Sequence, residues 1–159
     1  MTDKVFNILS IEDNEPDFTL LEKALRRIPD LQLNIINISD GKDALNYIFK
    51  KEEYENASTP DLIVLDINLP KINGYEIVER IKNDKKYKVI PVIMFSTSNS
   101  EEDIQKSYLA HANSYIIKSF DIKSLFEKIA TMGEYWLKAS AITKADSICI
   151  INNEFSEGE

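Results

Sequence analysis

The chain holds a single cysteine, Cys149, so no internal disulfide can staple it and its stability must come from an apolar core. That scarcity suits a reducing compartment, and a cytoplasmic location is expected. Basic residues are outnumbered, 19 lysines and arginines against 27 acidic residues, and the net charge of −8 argues against a nucleic-acid surface, which needs clustered Lys and Arg. No apolar run approaches the roughly 20 residues needed to span a bilayer. The start, Met1-Thr2-Asp3-Lys4, lacks the basic and apolar segments of a secretory leader, so neither membrane insertion nor export is expected. The one histidine, His111, has no ligand partners in the pattern and is read as a helix-end residue, where a cation is mildly favoured. No repeat or low-complexity tract is visible. What remains is a chain of 159 residues, one domain's worth, able to bury roughly 70% of its unfolded surface.

What is present is an alternation of short apolar runs and helical stripes. Val5 to Ile11 reads as a strand with Glu12 and Asp13 at its carboxyl end. Asn14 is placed to cap a helix, with Pro16 in its first turn and Asp17 near its positive end; Phe18, Leu21, Leu25 and Ile28 follow at helical spacing. Leu33 to Ile38 alternates weakly, as a half-exposed strand near a sheet edge would, and Asp40-Gly41 opens a second helix carrying Ala44, Leu45, Ile48 and Phe49. After a polar loop, Leu62 to Leu65 is an unbroken apolar run, which suits a strand covered on both faces of a parallel sheet. Asp66 ends it, and Pro70 and Gly74 break the pattern beyond, the proline fixing φ and the glycine permitting a left-handed backbone. A third helix carries Tyr75, Ile77, Val78 and Ile81, and the Lys85-Lys86-Lys88 cluster reads as a solvated turn.

Pro91 precedes the strand Val92 to Phe95, which ends in Ser96-Thr97-Ser98; Asn99 or Ser100 caps a fourth helix. Tyr115 to Ile117 is a short strand ending at Lys118, and Ile122, Leu125, Phe126, Ile129, Gly133 and Trp136 give an extended fifth helix. The order, βα five times, calls for an α/β fold, a doubly wound, five-stranded parallel sheet with right-handed crossovers. The domain is expected over residues 1–139. Residues 140–159 are expected to form a flexible acidic tail with no output domain.

In such a sheet chemistry sits at the carboxyl ends of the strands. Four of those ends deliver Glu12 and Asp13, Asp66, Ser96, and Lys118. Taken singly, each has an ordinary reading: an acidic pair in a solvated loop, an Asp starting a turn, a surface lysine. Together they make one site. Three clustered carboxylates repel one another, and a divalent cation with hard oxygen ligands, Mg²⁺ above all, relieves that repulsion. Asp66 then stays ionised and nucleophilic toward phosphorus. Lys118 offers a compact positive charge for the phosphoryl group, and the Ser96 hydroxyl can donate to one of its oxygens.

The segments Ile-Glu-Asp-Asn at 11–14, Asp-Ile-Asn-Leu-Pro-Lys-Ile-Asn-Gly at 66–74, Pro-Val-Ile-Met-Phe-Ser-Thr at 91–97 and Tyr-Ile-Ile-Lys at 115–118 resemble those of response-regulator receiver domains, which share the flavodoxin-like or CheY-like fold. The resemblance covers roughly residues 5–138. It implies Asp66 as phosphoacceptor, with Glu12, Asp13, Asp66 and the backbone carbonyl of Asn68 holding Mg²⁺. It also implies Ser96 as switch hydroxyl, Lys118 as phosphoryl ligand and Tyr115 as switch aromatic. Thr97 is a one-residue alternative to Ser96, but the spacing to Asp66 and Lys118 resembles the family's for Ser96. The chain departs from the family in having Ser96 where Thr is usual and Ser119 where Pro usually follows the lysine. Gly133-Glu134-Tyr135-Trp136-Leu137, with Lys118-Ser119, is similar to single-domain regulators associated with phytochrome-type histidine kinases.

The implied partner is therefore a sensor histidine kinase, and catalysis extends only to the protein's own phosphorylation and dephosphorylation. The family's habit implies a homodimer through the face of the fourth helix, fifth strand and fifth helix. The stripe from Ile122 through Leu137 divides between core packing and such an association surface. Two other functions compete. An aspartyl phosphohydrolase typically has a second Asp two positions after the first, where this chain has Asn68. A scaffold that never accepts phosphate has no use for Glu12, Asp13, Asp66 and Lys118 together.

Overall fold

The computed structural model describes residues 4–148. Strands β1 (Val5–Ile11), β2 (Gln32–Ile38), β3 (Leu62–Leu65), β4 (Val92–Ser96) and β5 (Ser114–Ile117) are all parallel and lie in the order β2-β1-β3-β4-β5. Between and after them run helices α1 (Glu15–Arg26), α2 (Gly41–Ile48), α3 (Gly74–Lys82), α4 (Glu101–Leu109) and α5 (Ile122–Glu134). The last helix continues through a π-helical turn, Tyr135–Ala139. This is the doubly wound five-stranded sheet expected from the alternation of runs and stripes.

Successive side chains of a strand point to opposite faces, so each unbroken apolar run is shared between two cores. Leu9, Ile11, Ile63 and Leu65 pack with Ile48, Ile77 and Ile81 on the face of α2 and α3. Ile8, Leu62, Val64, Ile93 and Phe95 pack with Leu21, Leu25, Leu125 and Ile129 on the face of α1 and α5. β2, at one edge, is mostly half-exposed, as its weak alternation predicts.

The helix starts follow local chemistry. Asn14 accepts from the Asp17 N–H, Asp40 from Lys42 and Asp43, Asn73 from Glu76, and Asp121 from Lys123. Of the two candidates for α4, Ser100 is the cap. Beyond that helix His111 takes the left-handed conformation, φ 73°, in a turn closed by Ala112 N–H to the Ser107 carbonyl at 3.0 Å.

Two expectations are corrected. Gly74 does not have a positive φ; among the described loop residues near Asp66 that role falls to Lys71, φ 69°. Gly74 is required for close approach, because a Cβ there would lie 2.5 Å from the Asp66 carbonyl oxygen and 2.8 Å from Ile67 Cα. The first part of the expected tail is also docked. Ala145 is buried, Lys144 pairs with Asp61 at 2.7 Å, and Asp146 accepts from Thr59 and pairs with Lys86. Cys149 and the acidic stretch 152–159 lie outside the described residues.

Candidate functional site

β1 and β3 run side by side with Ile11 paired to Leu65, so the residues that follow each, Glu12 and Asp66, emerge abreast. The Asp66 N–H donates to the Ile11 carbonyl at 3.0 Å and locks that register. Carboxylate oxygens of Glu12, Asp13 and Asp66 all lie within 4.8 Å of one another. Glu12 and Asp66 are buried and Asp13 is exposed, so the cluster meets solvent on the Asp13 side. Three anionic oxygen donors at this separation suit a hard divalent cation that keeps waters among its ligands. Asn68, exposed on the following loop, donates its N–H to Asp66 Oδ1 at 3.3 Å.

Lys118 reaches the cluster from the end of β5. Its backbone N–H donates to the Ser96 carbonyl at 2.7 Å, tying it to the end of β4. Its ammonium donates to Glu12 Oε2 at 2.8 Å, to Asp17 Oδ2 at 2.8 Å and to Asp66 Oδ2 at 3.4 Å, and it lies 5.0 Å from the centre of the Phe95 ring. Burial, reinforced by the neighbouring Asp66 charge, pushes the Glu12 carboxyl up to about 7 against the opposing pull of Lys118. For Lys118 burial alone would lower the pKa, but its bonds to Asp17 and Glu12 outweigh that and hold it above the usual lysine range. The site is thus short of positive charge.

Ser96 is fully buried at the end of β4, whereas Thr97 is exposed. The Ser96 hydroxyl oxygen accepts from the Ser98 N–H at 3.2 Å. Tyr115, half-buried on β5, donates its hydroxyl to the Ser98 carbonyl at 2.8 Å, so Ser98 stands between the two sequence-predicted switch residues. The Ser98 hydroxyl donates in turn to Asp103 at 2.5 Å, and Asp103 also accepts from Tyr75 at 2.7 Å, which joins α3 to α4. Among the described residues no peptide bond is cis, so Lys118-Ser119 is trans.

Glu12, Asp13, Asp66 and Lys118 are therefore brought together, and Ser96 is at the same end of the sheet. The sequence pattern marks Asp17 only as a favourable charge at a helix start, whereas in the structure it accepts from Lys118. No local pattern in the sequence signals more, because that partner lies 101 residues away. His111 is exposed and joins no carboxylate–histidine cluster among the described residues.

The family model for the response regulator receiver domain matches residues 8–130. Response regulator Rcp1 of Synechocystis sp. is 36% identical over 138 residues, covering 87% of this chain and 93% of its own. A probable methanogenesis regulatory protein, FilR2, of Methanothrix harundinacea is also 36% identical, over 132 residues, covering 83% of this chain and 84% of its own. The crystal structure of the phosphorylated cyanobacterial phytochrome response regulator RcpA superposes with a TM-score of 0.85 at 39% identity, covering 89% of this chain and all (100%) of that one. That of the Mn²⁺-bound form of Rcp1 does so at 0.83 and 34%, covering 87% and 99%. No described helix is long and apolar enough to cross a membrane. Strand order, acidic cluster and sequence agree, and the chain belongs to the response regulator receiver domain family.

Proposed function

We propose that this protein accepts a phosphoryl group on Asp66 from the phosphohistidine of a sensor histidine kinase, with Mg²⁺ held by Glu12, Asp13, Asp66 and the Asn68 backbone carbonyl. The observation that carries the reading is the packing of three carboxylates within 4.8 Å of one another beside a buried ammonium. Like charges about 4 Å apart repel by on the order of 4 kcal/mol at an effective dielectric near 20. A site that merely stabilised the fold would avoid that cost. The relatives support the metal and the partner: one was crystallised with Mn²⁺, another is a phosphorylated phytochrome response regulator. The kinase is accordingly proposed to be of phytochrome type, and the protein to work in the cytoplasm, as its low cysteine content suggests.

An Asp66 carboxylate oxygen forms the O–P bond while the N–P bond to the donor imidazole breaks, and the imidazole leaves with the electron pair. Bound Mg²⁺ supplies charge withdrawal from the phosphoryl oxygens. Lys118, already 3.4 Å from Asp66, becomes the counter-charge of a group carrying nearly two negative charges. The Ser96 oxygen accepts the Ser98 N–H and still has its own proton to donate to the phosphoryl group, so turning toward that group disturbs its contact with Ser98. That loosens the residue whose carbonyl holds Tyr115, and the face formed by α4, β5 and α5 changes with it. The catalysis proposed is confined to Asp66's own phosphorylation and dephosphorylation.

Incubation with labelled acetyl phosphate and Mg²⁺ tests the assignment. Label stable to acid and labile to hydroxylamine is expected on the wild type and absent from Asp66→Asn. Equal labelling of both would overturn it.

A further inference from the structure

We propose that Asp17 is a positioning residue that holds the Lys118 ammonium away from Asp66, so that an arriving phosphoryl group must win the lysine from it. This rests on the phosphoacceptor reading of Asp66. An ammonium has three protons to donate, and here the two short bonds, 2.8 Å each, go to Glu12 and Asp17, whereas the bond to Asp66 is stretched to 3.4 Å. The backbone that carries Asp17 is held in place: its N–H donates to the cap Asn14 at 3.0 Å and Pro16 stiffens the same turn. A carboxylate that served only the positive end of α1 would need no partner 101 residues away.

The three carboxylates differ in what losing the lysine would mean for them. The Glu12 side chain is 3% exposed and that of Asp66 10%, but Asp17 is 29% exposed. Water can replace the ammonium at Asp17, and it cannot do so readily at Glu12. Asp17 is thus the partner from which Lys118 is exchanged. It also adds negative charge beside the place where the phosphoryl oxygens would sit, so its presence opposes the phosphorylated state on both counts. The site is set against spontaneous phosphorylation by a residue that is neither a metal ligand nor the acceptor.

The test compares Asp17→Asn and Asp17→Glu with the wild type, using Mg²⁺ alone and then beryllofluoride at saturating Mg²⁺. Asp17→Asn is expected to bind beryllofluoride about tenfold more tightly and to lower the half-saturating acetyl phosphate concentration by a similar factor. Its affinity for Mg²⁺ alone should be unchanged or weaker, because a negative charge is lost. Asp17→Glu, which keeps the charge and can reach the lysine, should stay close to wild type. Equal or weaker beryllofluoride binding by Asp17→Asn, with the melting temperature intact, would sink the proposal and leave Asp17 as a helix-start charge. Asp66→Asn, run in parallel, separates this from a failure of the phosphoacceptor reading, in which the wild type would gain no more label than that control.

Discussion

Glu12 carries the largest consequence of any single side chain. Its carboxyl is held near 7 rather than the ordinary 4.5, chiefly by burial, so between those values the folded protein binds a proton that the unfolded chain has given up. The stabilisation is complete below about 4.5 and is lost as pH rises through about 7. The loss is expected to be on the order of 2 kcal/mol, because one pKa step is worth about 1.4 kcal/mol and the cluster is partly reached by water. Urea unfolding in EDTA from pH 5 to 8 should therefore show a decline that Glu12→Gln largely removes and saturating Mg²⁺ offsets. A flat difference between wild type and Glu12→Gln across that range would contradict the burial argument. Two glycines make a paired prediction beside it. A Cβ at Gly74 meets backbone, the Asp66 carbonyl at 2.5 Å, whereas one at Gly133 meets the side-chain ends Ile28 Cδ1 at 2.5 Å and Leu25 Cδ2 at 2.8 Å. Side-chain ends can turn aside; the backbone of the Asp66 loop cannot without moving the acceptor. Gly74→Ala is expected to cost about 1–3 kcal/mol and to abolish labelling by acetyl phosphate. Gly133→Ala should cost less and leave labelling intact.

The elements were legible wherever their signal was periodic. The run Leu62 to Leu65 and the stripe Leu21, Leu25, Ile28 are dictated by which side chains must leave water, and β1 and β3 begin and end where their apolar residues do. The four strand ends were legible for the same reason, since each chemical residue directly follows such a run. What escaped was held by single polar contacts between distant parts of the chain. Asp17 meets Lys118 across 101 residues and Tyr75 meets Asp103 across 28, and no period announces either. The segment 141–148 escaped likewise, because one alanine and a few ion pairs dock it. Lys144 donates to Asp61, a buried carboxylate that otherwise accepts only the Asn7 N–H among the contacts described. Lys144→Met is expected to cost about 1–2 kcal/mol by stripping that carboxylate of its cation, the lysine being half-exposed. Asp61→Asn combined with Lys144→Met should recover part of the loss. Since this contact lies at the amino ends of the strands, labelling by acetyl phosphate should not change in either variant, and a change would mean that the segment reaches the site.

At the scale of the whole molecule, two regions of the described surface combine exposed apolar side chains with a groove. Phe120, fully exposed, and Ile122, 67% exposed, line a groove with Pro16, Leu20 and Asp17, the partner of Lys118, and this groove is proposed as the surface that meets the phosphate donor. The second region is a groove between β5 and α5 lined by Tyr115, Ile117, Met132, Tyr135 and Trp136, with Tyr135 55% exposed. β5 is an edge strand, so this second face combines open backbone with apolar cover, and it is where a second copy is proposed to pair. The two faces predict opposite phenotypes. Phe120→Ala should slow labelling by a phosphorylated kinase and leave labelling by acetyl phosphate unchanged. Tyr135→Glu should leave both unchanged and yield a monomer. Net charge sharpens the second case: each copy carries −8, so pairing works against self-repulsion that salt screens over about 8 Å at physiological ionic strength. The proposed dimer, followed by sedimentation at tens of micromolar, should therefore tighten as salt is raised from low to physiological levels, which is the behaviour of an apolar interface and the reverse of one built on ion pairs. A monomer at every salt concentration, with and without beryllofluoride, would remove the pairing and leave this face to a partner of another kind.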